Sequence, residues 1–277
     1  MKTMNLLNVG CGSHVHPECV NLDIAALVPG VMVWDLRRGL PFDDESFDAV
    51  YHSHVLEHFD RAGGRDLLVE CRRILKPGGW MRVVVPDLEN VARLYLSTLP
   101  GPGDGESQTA ARHEWAVLEL FDQMSRVQGG GDMLDFIRQH RELRSFILER
   151  CGHEIMELAA PAHSAPGPRP RGVSHVLRCC WGLARHPARL REALIKRLLG
   201  DEYAALEVAR FRQCGEVHRW MYDRVTLGAL LESCGYTSVG VVDHDRSAIP
   251  GWERYCLDAD AGGAPRKPQS IYFEGRR

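Results

Sequence analysis

The sequence has no apolar run near the roughly 20 residues that cross a bilayer, so no membrane-spanning helix is expected. The first apolar stretch breaks at Gly10-Cys11-Gly12, which speaks against a signal peptide. Cysteine occurs nine times, an odd number, and no two are spaced Cys-x-x-Cys. A disulfide framework is therefore not expected; the thiols read as reduced and the location as cytoplasmic, with the adjacent Cys179 and Cys180 left without a role. Charge of one sign is lacking too. The net charge is −3, aromatics make up 8%, and no interleaving of aromatic and basic residues is evident, so a nucleic-acid partner is not expected. What is present, 277 residues with 44% hydrophobic and 26% charged, suits one globular domain or one domain carrying a large insertion.

Short apolar runs alternate with turns over the first hundred residues. Asn5–Val9, Cys19–Ile24, Val31–Trp34 and Phe47–His52 read as strands. Asp60–Leu75 has helical spacing at Leu67, Leu68, Cys71, Ile74 and Leu75, and Lys76-Pro77-Gly78-Gly79 reads as its stop. Trp80–Val85 is apolar without alternation, which predicts a strand buried on both faces. The pattern predicts an α/β fold: a parallel sheet with helical cover. Residues 110–160 then turn to helical spacing, Pro161–Gly172 with its four prolines reads as a linker, and 174–199 is helical again, Pro187 starting a second helix. Alternation resumes near Val217, with a helix at Thr226–Cys234 and strands at Ser238–Asp243 and Ser270–Glu274. The helical interruption, about 115 residues long, is large enough to cap a site.

Charge is uneven in the same region. Residues 161–200 hold seven arginines and one lysine against Glu192, a net of +7, which leaves −10 for the rest of the chain. Leu190, Leu194 and Leu198 recur there at helical spacing. A basic amphipathic helix can lie on an anionic membrane, and 174–199 is the candidate contact; a helix pair packed on the domain with its arginines in solvent is the simpler reading.

Leu6-Leu7-Asn8-Val9-Gly10-Cys11-Gly12 is a strand running into a glycine pair, which permits a tight turn and lets backbone N–H groups approach a ligand. Asp23 ends the next strand, where a carboxylate can accept both hydroxyls of a ribose. Only 11 positions separate Gly12 from Asp23, against roughly 20 in a dinucleotide-binding unit, so a nicotinamide cofactor loses ground. Four elements follow in order: Asp35-Leu36; Leu40-Pro41-Phe42 with Ser46-Phe47-Asp48; Ser53-His54-Val55-Leu56-Glu57-His58; and Leu75-Lys76-Pro77-Gly78-Gly79. This combination resembles the class I S-adenosylmethionine-dependent methyltransferases over residues 5–96, and the strands from about 217 fit the same sheet.

The resemblance implies a Rossmann-like, seven-stranded, mostly parallel sheet with an antiparallel last strand and a large helical insertion between strands five and six. Residues 1–98 would hold the cofactor site, 99–215 the insertion with its linker at 161–172, and 216–277 the C-terminal part of the domain. The short first crossover, with His218-Arg219-Trp220-Met221-Tyr222-Asp223, Ile249-Pro250-Gly251-Trp252 and Lys267–Tyr272, is similar to a compact subgroup associated with sugar and cell-surface polysaccharide biosynthesis. S-adenosylmethionine is the implied cofactor and S-adenosylhomocysteine its product. Asn8, Gly10, Cys11 and Gly12 would line its methionine and adenosine side, Asp23 its ribose, Asp35 and Leu36 its adenine, and His52, Ser53 and His54 the sulfonium region. The third glycine of the family's first loop is missing, and His14 and His16 are candidates for that space.

Methyl transfer requires alignment of acceptor and methyl, and an amine or hydroxyl acceptor must also lose a proton. His54 is the preferred base, with His58 and Glu57 as further candidates. In the insertion, Glu119, Asp122, Gln123 and Arg126 share one helix face beside Trp115, a set suited to gripping a polyhydroxylated acceptor; His218 joins them as a candidate. Gly129-Gly130-Gly131 reads as a hinge. The histidines at 14, 16, 52, 54 and 58 read as cofactor-pocket or surface residues, and no metal site is expected. The leading expectation is a methyltransferase acting on a small-molecule or glycan acceptor, with an O-methylated sugar as product. The alternatives are a non-catalytic binding or scaffold protein of the same fold and an RNA methyltransferase.

Overall fold

The computed structural model describes residues 4–99, 107–153, 155, 187–260 and 262–277. Seven strands form one sheet in the order β3-β2-β1-β4-β5-β7-β6. They are β1 (Leu6–Val9), β2 (Cys19–Asp23), β3 (Val31–Val33), β4 (Phe47–Ser53), β5 (Leu75–Pro86), β6 (Thr237–Val242) and β7 (Ser270–Arg276). β1 to β5 pair in parallel, and β7 enters between β5 and β6 antiparallel to both. The expected α/β sheet with an antiparallel last strand is the observed one.

Helical cover is thinner than the sequence predicts. A nine-residue loop, 10–18, joins β1 to β2, and no helix forms behind β1, β2 or β3 beyond a 3-10 turn at Leu36–Arg38. The first long crossover is α1 (Arg61–Ile74), begun by Asp60, whose carboxylate accepts from the Gly63 N–H at 2.9 Å. Its Leu67, Leu68, Cys71 and Ile74 recur at helical spacing and are buried against Val50, Met81 and Val83 of the sheet. α8 (Arg224–Ser233) covers the same face with Leu227 and Leu231. On the other face Leu6, Ala49, Tyr51, Val84 and Tyr272 pack against Ile249, Trp252 and Tyr255 of an irregular C-terminal segment.

One boundary differs. Lys76-Pro77-Gly78-Gly79, read as a helix stop, lies inside β5, where the pairing with β4 jumps from Phe47–Leu75 to Ala49–Trp80. The proline and glycines are tolerated there because the extra residues bulge out of the ladder.

Between β5 and β6 lie α2 (Leu88–Ser97), α3 (Ser107–Ser125), α4 (Gly131–Gln139), α5 (Arg144–Cys151), α6 (Pro187–Leu199) and α7 (Tyr203–Arg212). α3, α4 and α5 form a core of their own around Trp115, Phe136, Ile137 and Ile147. The expected linker 161–172 lies outside the described residues.

Candidate active site

The sheet order reverses beside β1, which leads to β2 on one side and is flanked by β4 on the other. A crevice opens beyond the carboxyl ends of such strands. Here it is a cavity of about 650 Å³ lined by Gly10, Asp23, Asp35, Leu36, His54 and His58, among others. A second cavity of about 210 Å³ adjoins it, lined by Asn8, Cys11, Gly12, His14, Ser53 and Lys267, among others. Gly10 and His54 border both.

The first loop is shaped by its glycines. Gly10 has φ +64°, and a Cβ on it would stand 2.2 Å from Val55 Cγ2, so only glycine fits. Gly12 has φ +53° with no atom within 4 Å of the Cβ position: its backbone faces open space. The Gly12 N–H donates to Asp23 Oδ2 at 2.8 Å, and the Ala25 N–H donates to Oδ1 at 3.2 Å. Each carboxylate oxygen of Asp23 keeps a lone pair for a further donor. Asn8 is buried and spends its amide hydrogens on His14 O and Asn21 Oδ1, closing the loop in place of the missing helix. Cys11 is a buried thiol pushed up to about 11 by that burial, a small side chain in a tight turn. At the far end of the cavity Asp35 caps the 3-10 turn through the Arg37 N–H and also pairs with the Arg37 guanidinium at 2.8 Å. That pairing holds its carboxyl below the usual range, and Leu36 lines the wall beside it.

The other wall is formed by His54 and His58, with Glu57 and His218 buried behind it. His54 follows β4 at φ +54°, its N–H bonded to Val84 O. Its Nε2 lies 2.8 Å from Ser270 Oγ and its Nδ1 3.4 Å from Glu57 Oε1. Both ring nitrogens thus face protein groups, which weakens the preferred base of the sequence reading. Glu57 sits on a 3-10 turn (Leu56–His58) with its side chain 1% exposed, and neither carboxylate oxygen has a hydrogen-bond partner among the described residues. Burial pushes its carboxyl up to about 8. His58 Nδ1 lies 3.4 Å from the Val217 carbonyl, which can only accept, so Nδ1 carries the hydrogen and Nε2 the lone pair. The ring meets the buried His218 edge-on, centroids 4.9 Å apart. Burial lowers His54, His58 and His218 below the usual imidazole value, leaving them neutral near pH 7.

His52 does not join them. It is wholly buried, without a partner for either nitrogen among the described residues, and burial pulls it down to about 3. Strand alternation is the reason: Tyr51 and Ser53 line the small cavity, while His52 between them points to the opposite face.

Comparisons with known proteins bear on this edge of the sheet. Residues 15–83 match the model of a family described as a methyltransferase domain. This is a class I methyltransferase fold. The open backbone at Gly12 beside the lone pairs of Asp23 fits a nucleoside. Solved structures with a similar course include a methyltransferase from Archaeoglobus fulgidus (12% identity, 99% of this chain and 86% of that one, TM-score 0.38). Another is a methyltransferase of Haloferax volcanii bound to the Trm112 activator (12%, 99% and 82%, TM-score 0.39). A third, the methyltransferase CalH with S-adenosylhomocysteine, matches at 17% over 30% of this chain and 32% of its own (TM-score 0.25). Likeness at this level says nothing of acceptor or partner. No curated protein matches the sequence.

The methyltransferase fold carries its insertion differently from the sequence expectation. The stripe on α3 turns inward. Trp115 is wholly buried and donates to Glu119, and Glu119 pairs with Arg150 at 2.6 Å. Asp122 accepts from the Asp132 N–H at 2.7 Å, starting α4, and pairs with Arg126, which also meets Glu216 at 3.4 Å. The Gln123 carbonyl accepts from the His218 N–H at 2.9 Å. None of Trp115, Glu119, Asp122, Gln123, Arg126 or His218 lines the large cavity. Their polar groups brace helices instead, because spacing tells which residues share a face but not where that face points. The glycine triplet is likewise no loose hinge: Gly130 N donates to Glu216 Oε1 at 3.0 Å, and a Cβ on Gly131 would stand 2.3 Å from Asp122 Oδ1.

What reaches the cavity from the insertion is its last segment, Arg212, Gln213, Cys214 and Gly215, followed by Val217 and Arg219 just beyond it. Sequence reading missed these and also Ser270, 216 positions from the His54 it contacts. Of the basic stretch 174–199, residues 187–199 are described, as α6; 174–186 lie outside the described residues. Leu190, Leu194 and Leu198 are all exposed on α6. Among the described residues no helix is long and apolar enough to cross a membrane.

Proposed function

We propose that the protein is an S-adenosylmethionine-dependent methyltransferase that modifies a hydroxyl of a glycan or small-molecule acceptor. One observation carries the reading: Gly10 and Asp23 of the cradle and His54 and His58 border the same cavity at the point where the strand order reverses. Bound S-adenosylmethionine supplies a methyl group made electrophilic by its sulfonium. Asp23 would hold the ribose, Gly12 would admit the ligand to the backbone, and Leu36 would flank the adenine. The wall from Arg212 to Arg219 would meet the acceptor, and its guanidinium and amide donors suit sugar hydroxyls. The cluster at His54, Glu57 and His58 would take up the acceptor's proton, with His58 Nε2 the lone pair nearest to free.

The full chain, given tritium-labelled cofactor and a panel of nucleotide sugars and oligosaccharides, is expected to transfer label to a hydroxyl. Tight cofactor binding without transfer to any member of the panel would favour the non-catalytic binding protein instead.

The exposed leucines of α6, set among Arg189, Arg191, Lys196 and Arg197, favour a lipid-linked acceptor at an anionic membrane. Flotation with phosphatidylglycerol-containing liposomes is expected to carry the protein upward, and less so after Leu190→Glu with Leu194→Glu. Protein left at the bottom of the gradient in every case would remove that refinement and leave methyl transfer untouched.

A further inference from the structure

Glu57 poses a problem that the methyl-transfer reading does not solve. A carboxyl group with its side chain 1% exposed, with no hydrogen-bond partner on either oxygen among the described residues and only the His54 Nδ1 at 3.4 Å beside it, carries a desolvation cost that is poorly offset. Such a group calls for an ion or a donor that completes it. Two imidazoles stand beside it: one ligand atom each of Glu57, His58 and His218 lies within 4.8 Å of the other two.

We propose that Glu57, His58 and His218 bind a divalent cation of the zinc class. Two histidines and one carboxylate are a ligand set that zinc takes at catalytic sites, with a fourth position left open. A cation held at about 2.0–2.2 Å from each ligand would draw the three atoms to roughly 3.4 Å apart. That closure is within reach of side-chain rotation. The backbone around the ligands is already fixed. The Glu57 carbonyl accepts from both Arg219 N–H (2.6 Å) and Trp220 N–H (3.2 Å), and the His218 N–H donates to Gln123 O, so the two ligand-bearing segments are bound to each other. Val217 O orients the His58 ring and leaves Nε2 as the ligand atom, the supporting contact that metal-bound histidines ordinarily have. The Arg126 guanidinium adds positive potential at both imidazoles, but Asp122 and Glu216 pair with it and offset that charge.

The open coordination position would face the cavity, which His58 lines. There the cation would bind the acceptor hydroxyl and lower its pKa, as zinc does for bound water, so that the proton leaves to solvent and His58 serves as a ligand rather than as the base. This last step rests on the methyl-transfer reading; the binding of the cation does not.

The test needs neither cofactor nor acceptor. Zinc chloride is titrated calorimetrically into the full chain after tag removal and chelator treatment, followed by cobalt(II) with an absorption spectrum. One ion per chain is expected, with affinity at least about 100-fold weaker in Glu57→Gln and in His218→Ala, beyond what loss of a supporting partner alone usually costs. His153→Ala, an exposed histidine elsewhere, should leave binding unchanged. The cobalt spectrum should show ligand-field bands of a nitrogen and oxygen site without a thiolate charge-transfer band, which separates this site from the nine cysteines even if a variant fails to fold. No stoichiometric binding, binding undiminished in both folded variants, or a thiolate band in the wild-type spectrum would each overturn the proposal.

Discussion

Asp23→Ala is expected to weaken S-adenosylhomocysteine binding by about 100-fold or more, read by calorimetry on the purified chain. A charged carboxylate accepting hydroxyl donors contributes roughly 1.5–3 kcal/mol per hydrogen bond, and each tenfold in affinity is about 1.4 kcal/mol. The alanine also removes the acceptor for the Gly12 N–H at 2.8 Å and for the Ala25 N–H at 3.2 Å, so the loop that shapes the cradle loses its tie to β2. Asp23→Asn separates the two effects. An amide oxygen can still accept from Gly12, but it offers one acceptor atom and no charge, so an intermediate affinity is expected. Both variants should melt near the wild type, because Asp23 lies at the cavity wall and not in the hydrophobic core. Unchanged affinity in Asp23→Ala would place the ribose elsewhere and take the cofactor assignment of this edge with it.

The elements behind that expectation were readable in the sequence because they are local. A strand that ends in Gly-Cys-Gly and a second that ends in aspartate must present those ends on one side if the strands are parallel and adjacent, and β1 and β2 are. Ser53 ends β4 and His54 to His58 sit on the short connection after it, so their grouping follows from the chain itself. Three things were not readable. His218 lies 160 positions beyond His58 and reaches it only because residues 217–220 are bonded to the Glu57 carbonyl and to α3. The spacing on α3 identified one helix face correctly but not its direction, and packing against α4 and α5 turned that face inward. The strand β5 runs through Pro77 and two glycines because β4 tolerates a bulge opposite Asp48, a property of the pairing and not of either segment alone. Local propensity speaks for itself in a sequence; the partner across space does not.

The same limit hid the group expected to matter most for stability. Arg82 looks like a stray charge in an apolar strand, yet its side chain is wholly buried and paired with Asp258 at 2.5 Å and Glu274 at 2.7 Å. Its remaining hydrogens reach the carbonyls of Arg246, Asp243 and His244, and the guanidinium lies over the rings of Trp252 and Tyr272. Tyr51 and Trp252 also donate to Asp258, at 2.7 and 3.2 Å, and the Ala248 N–H donates to Glu274 at 2.7 Å. One cation therefore ties β5 and β7 to the C-terminal segment that covers this face of the sheet. Arg82→Met keeps most of the volume but leaves two buried carboxylates without a counter-charge, for which a loss of about 3–5 kcal/mol is expected. For a chain of this size that is a fall in Tm of roughly 6–20 °C, read by thermal melting and urea titration. The pH dependence distinguishes lost charge pairing from lost packing. Burial holds Asp258 above the ordinary carboxylate value even with Arg82 in place, and the guanidinium acts against that rise. Removing it moves the folded-state value higher, so the variant's folded state takes up a proton where the unfolded chain has none bound. Its stability deficit should accordingly shrink as the pH falls from neutral into the acid range. A deficit that stays constant over that range would assign the loss to packing on Trp252 and Tyr272 instead of to the unpaired carboxylates.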